Sequence, residues 1–150
     1  INENASTVFE GNITGTGGVV QEGSGTLTLS GNNTYSGGTT VNGGTLSINS
    51  SNSLGTSNSP LALNGGTLQA TQTITIPQNI TLNGTGGTFN VNSGITATVS
   101  NSIGGTGPLT LGGSGMLNLI GDNTYSGGTI INSGSTLIGT TSTFPAPVSQ

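Results

Sequence analysis

Apolar and polar residues alternate with period two in short runs along the whole chain. The clearest run is Val41-Asn42-Gly43-Gly44-Thr45-Leu46-Ser47-Ile48: an alternating strand, a Gly-rich corner and a second alternating strand. Leu61 to Ala70 repeats it, and Ile80 to Val91 stretches it around the corner Gly84 to Gly87. Looser copies run from Val19 to Leu29, Leu109 to Leu119 and Thr129 to Ile138. Such alternation predicts strands with one buried face, because successive side chains of a strand point to opposite sides. No stretch carries a helical period, and Gly or Asn interrupts every run.

The apolar anchors Leu27, Leu46, Leu68, Phe89, Leu117 and Leu137 are spaced by 19, 22, 21, 28 and 20 residues. A step of that length suits one coil of a β-solenoid. A single coil cannot bury its inner face, and stacking on neighbours does it. The long step leaves room for one more alternating strand, Ile95 to Val99. The prediction is an all-β fold, a right-handed parallel β-helix (β-solenoid) of six to seven rungs over residues 1–139. Residues 1–14 form its lead-in or cap, and 140–150 a Pro-containing tail or partial cap. An antiparallel sandwich fits less well. Hairpins favour two-residue turns between equal strands, whereas here a long third segment follows each strand-corner-strand unit.

In that register Leu27/Leu29, Leu46/Ile48, Leu68/Ala70, Phe89/Val91 and Leu117/Leu119 point inward. The first outward column reads Thr26, Thr45, Thr67, Thr88, Met116 and Thr136, and the second Thr28, Ser47, Gln69, Asn90, Asn118 and Ile138. At the corner Asn42, Asn64, Asn83 and Asn132 are expected to stack as a structural amide ladder of the cross-β kind.

A longer repeat contains these units. Shifted by 90 residues, Ser24–Gly44 overlies Ser114–Gly134 with 14 of 21 positions identical. The centre of the match is Gly31-Asn32-Asn33-Thr34-Tyr35-Ser36-Gly37-Gly38-Thr39 against Gly121-Asp122-Asn123-Thr124-Tyr125-Ser126-Gly127-Gly128-Thr129. Upstream, Ile13, Gly15, Thr16 and Gly17 recur as Ile103, Gly105, Thr106 and Gly107. Residues 23–46, and again 112–137, resemble the autotransporter-associated β-strand repeat, also called the passenger-associated transport repeat. The resemblance implies a right-handed β-helix in a secreted or surface-displayed passenger of a Gram-negative bacterium, often adhesin-like, with the chain a piece of something longer.

Composition narrows the chemistry. Lys, Arg, His and Cys are absent, and four acids (Glu3, Glu10, Glu22 and Asp122) leave a net charge of −4. Without a basic residue, nucleic acid and anionic membrane surfaces are not expected as partners. Without His or Cys there is no zinc site, thiol nucleophile or Ser-His-Asp triad. Glycosidase chemistry needs two carboxylates within ~5–10 Å, and Glu22 and Asp122 fall about four rungs apart in the predicted register. A calcium-binding roll needs a repeated Asp, and the chain has one. No catalytic activity, cofactor or metal is expected.

Tyr35 and Tyr125 occupy the same repeat position. The expectation is a packed corner residue with a satisfied hydroxyl; the alternative is an exposed ring available for surface contact, stacking on sugars. The expected function is an extracellular structural and adhesive segment, a rigid spacer or fibre. Its partners would be neighbouring repeats or identical subunits end to end, and a host or environmental surface. A filament subunit built by end-to-end stacking of coils is the alternative, and an ice-binding solenoid a further one suggested by the Thr column.

Overall fold

The computed structural model describes residues 1–2, 4–139 and 148–149. The chain winds as a parallel β-solenoid of about seven turns. After β1 (Thr7–Phe9) come two coils with two strands each, β2 (Val19–Gln21) with β3 (Thr26–Leu29) and β4 (Thr39–Val41) with β5 (Thr45–Ile48). A short 3-10 turn, Ser51–Leu54, leads into coils with three strands each. These are β6 (Leu61–Leu63), β7 (Thr67–Ala70) and β8 (Ile74–Ile76); β9 (Ile80–Leu82), β10 (Gly87–Val91) and β11 (Thr96–Val99); and β12 (Ile103–Gly105), β13 (Leu109–Gly113) and β14 (Met116–Leu119). β15 (Thr129–Ile131), β16 (Thr136–Ile138) and β17 (Val148–Ser149) follow.

These strands stack into three sheets. The long face runs β1-β3-β5-β7-β10-β13-β15-β17, the second β2-β4-β6-β9-β12, and the third β8-β11-β14-β16. Every pairing is parallel. Inside, the rows are apolar. Leu27, Leu46, Leu68, Phe89, Leu111 and Ile131 align on the long face. Ile74, Ala97, Leu117 and Leu137 align on the third. Each fully buried Leu of such a row contributes roughly 1.5–3 kcal/mol, so the coils hold one another in register through their contents.

All ten residues expected to point inward are buried. The column they share, however, splits. Leu117 lies next to Ala97, not Phe89, and Phe89 continues into Leu111. The cause is the length of chain between the two copies, which is not a whole number of coils. In residues 19–48 the β-β unit spans the second face and the long face. By residues 109–138 the chain has advanced one face, and the same unit spans the long face and the third. The 90-residue shift is thus four coils plus one face.

Two corners show why Gly recurs. Gly38 and Gly128, equivalent in the two copies, have φ of +92° and +86°, a region L side chains rarely adopt. A Cβ on Gly44 would stand 2.3 Å from the carbonyl oxygens of Gly23 and Gly25, so the neighbouring coil itself excludes a side chain. The expected cap at 140–150 and the acid Glu3 lie outside the described residues, apart from β17, which pairs with β15.

Candidate functional site

The segments without strands carry the most specific chemistry. Residues 31–38 fill the third face of their coil, and 121–128 fill the second face of theirs. Each lies along a lead-in one coil earlier: Thr34 N–H donates to Ile13 O and Ser36 N–H to Gly15 O, while Thr124 N–H donates to Ile103 O and Ser126 N–H to Gly105 O. The upstream match of Ile13 and Gly15 with Ile103 and Gly105 is therefore the platform of the motif, which spans two coils.

Asn33 is the centre of the first copy. Its Oδ1 accepts from Ile13 N–H at 2.8 Å and its Nδ2 donates to Ser53 O at 2.8 Å, so one buried amide bridges the coil before and the coil after. Asn123 is buried in the second copy and accepts from Ile103 N–H at 2.8 Å. The preceding positions, Asn32 and Asp122, are exposed. Sequence reasoning passed over the buried pair. The signal was there: Ile13 to Asn33 and Ile103 to Asn123 are each 20 residues, one coil.

Tyr35 and Tyr125 are both 0% exposed. Their hydroxyls meet Thr39 Oγ1 at 2.5 Å and Thr129 Oγ1 at 2.6 Å. Both rings are packed inside the solenoid, and neither is open to a surface ligand. The threonines point inward within otherwise apolar rows, so each Tyr-Thr pair satisfies two polar groups that would be costly to bury alone. Burial raises both phenol pKa values, and the hydrogen bond to Thr39 or Thr129 only partly offsets it.

With no Lys, Arg or Cys, the tyrosines are the only side chains that titrate above about pH 9. Their folded pKa is raised, so the unfolded chain loses its phenol protons first as pH rises. Stability is fully present below about pH 10 and falls above it, by at most about 1.4 kcal/mol per pH unit for each tyrosine. Urea midpoints across that range check this: the fall should shrink in Tyr35→Phe and vanish in the double variant with Tyr125→Phe.

The outward rows differ from the expected ones. On the long face Thr26, Thr45, Thr67, Thr88 and Thr110 form one row of five, and Ile130 continues it. Met116 and Thr136, expected in that row, lie on the third face. The second column holds Thr28, Ser47, Gln69, Asn90 and Gly112, too mixed for the paired Thr array that the ice-binding reading requires. The amide ladder is shorter than expected. Asn42, Asn64 and Asn83 follow paired strands at one exposed corner, with Asn64 Nδ2 donating to Asn42 Oδ1 at 3.3 Å. Asn132 follows β15 and so stands at the next corner around, for the same one-face advance. Glu10, Glu22 and Asp122 are exposed, and among the described residues no three acids gather where they could hold a metal ion.

The passenger-associated-transport-repeat family model matches residues 19–48 and 109–138, the two segments that contain Asn33 with Tyr35 and Asn123 with Tyr125. The chain carries two copies of this repeat. Together with the solenoid, these two matches support the reading of the chain as a segment of an autotransporter passenger. No curated protein and no solved structure matches the chain.

Proposed function

We propose that this passenger segment is a rigid extracellular spacer, carried outside a Gram-negative cell, whose outer faces meet a host or environmental surface. The supporting observation is the long face: eight parallel strands from β1 to β17, with neither a break in the ladder nor a change of partner order. A ladder of this kind transmits length, since each added coil extends the axis by one strand spacing. Its Thr row offers hydroxyls and methyls with no charge, which suits a neutral, hydrated surface better than a charged one.

Length is what the test reads. Three extra copies of residues 42–63, one coil, inserted in tandem after Leu63 should lengthen the particle by about 14 Å in small-angle scattering, with its cross-section unchanged. A particle that thickens instead would refute the spacer. The same measurement across a concentration series tests a second reading, end-to-end stacking of identical coils. That reading is supported by the uninterrupted parallel ladder of the long face, which a second copy could continue, since unpaired strand edges invite another chain. Growth in length with concentration supports stacking, and a constant particle rejects it.

A further inference from the structure

Of the chain's 18 asparagines, three are followed by Gly: Asn42-Gly43, Asn64-Gly65 and Asn83-Gly84. All three fall on one corner, after β4, β6 and β9, in successive coils, and all three asparagines are exposed. An Asn-Gly step is chemically labile. The Gly main-chain nitrogen can reach the Asn Cγ because no Cβ stands in the way.

The three steps are not equivalent. Gly65 N–H donates to Gly86 O at 2.6 Å, and Asn64 Nδ2 donates to Asn42 Oδ1. Among the described residues the N–H groups of Gly43 and Gly84 have no hydrogen-bond partner. From this we propose that the corner is a site of spontaneous covalent modification in the folded protein, where Asn42 and Asn83 deamidate and Asn64 is held back. In each event the Gly nitrogen bonds to Cγ as its proton leaves, the Cγ–Nδ2 bond breaks, and ammonia departs. Water then opens the cyclic imide at either carbonyl, giving aspartate or isoaspartate. No oxidant or cofactor enters.

The products reinforce the order. The acid formed at position 42 still accepts from Asn64 Nδ2, now as a charge-assisted bond. An acid at position 64 would lose that donor and face the Asn42 oxygen. Each event adds one negative charge to a chain that has no basic residue, along the corner where Glu22 already lies one coil before Asn42. The corner thus records the age of an exposed protein as charge.

The test follows the intact chain by peptide-mapping mass spectrometry during prolonged incubation in mildly alkaline buffer, folded and in urea. An isoaspartate-specific methyltransferase confirms the product. In the folded chain Asn64 should convert about fivefold more slowly than Asn42 and Asn83, since a main-chain hydrogen bond must first be given up. In urea the three rates should converge. Gly43→Ala, at a residue without positive φ, should lose the product at position 42 and keep it at position 83. Asn64 keeping pace in the folded chain would overturn the proposal. So would Asn42 and Asn83 staying intact while the unfolded chain converts.

Discussion

Leu68→Asp should unfold the middle of the solenoid, at a cost of more than about 4 kcal/mol, while Thr67→Asp should change stability by under about 1 kcal/mol. The two positions are adjacent in β7 and face opposite ways. Leu68 is 1% exposed, between Leu46 and Phe89 in the long-face row. A carboxylate there meets apolar side chains above and below, and the chain has no basic residue to pair with it. Thr67 lies in the outward row, half-buried between Thr45 and Thr88, where water reaches the added charge. Stability in a solenoid is a sum of coil and interface terms, so the damage should be greatest in the adjoining coils. Hydrogen exchange should show protection lost first across β5, β7 and β10, with β14 and β16 retaining more. Equal shifts in the urea midpoint for the two variants would mean the register is off by one residue, which would turn every side chain of the strand to the other face.

Alternation alone was enough to show the strands and their inner face. The Leu-x-Leu and Leu-x-Ile pairs leave one orientation that buries apolar surface, and the Gly-rich breaks leave few places for the corners. The membership of each column was less accessible. Leu117 follows an alternating run that looks like those of Leu46 and Leu68. Its place is set by how many strands precede it in the coil, through β8 and β11. Ile74-Thr75-Ile76 is only three residues long, so its alternation gives little warning that the third face, strandless in the first coils, now carries a strand. Asn132 is displaced for the same cause, although it matches Asn42 in the repeat. The Asn-Asn pair was opaque in another way. Asn32 and Asn33 are chemically identical, and only the position of the flanking coils decides which amide is enclosed. Tyr35 was easier: a large ring amid small residues needs a space, and in a narrow solenoid the interior provides it.

Asn33→Ala should cost about 2–4 kcal/mol, and Asn32→Ala less than about 0.5 kcal/mol. The difference arises from what truncation leaves behind. Removing the Asn33 amide leaves Ile13 N–H without its acceptor and the buried Ser53 O without its donor. Each orphan costs roughly 1–3 kcal/mol where water cannot replace the partner. The Asn32 side chain is exposed, and the bond at that residue is its main-chain N–H donating to Asn12 Oδ1 at 2.8 Å, which Ala retains. Asn33→Asp separates the two halves of the bridge. The carboxylate still accepts from Ile13 N–H but cannot donate to Ser53 O, and it brings a buried charge, so it should be no better than Ala at neutral pH. Protonation at low pH supplies an O–H that can donate to Ser53 O, and there the Asp variant should recover stability relative to Ala. Urea titrations of the three variants at neutral and acid pH give the comparison. Equal stability of Asn33→Ala and the parent chain would show that the coils before and after are held without this bridge, and the repeat's two-coil unit would lose its physical basis.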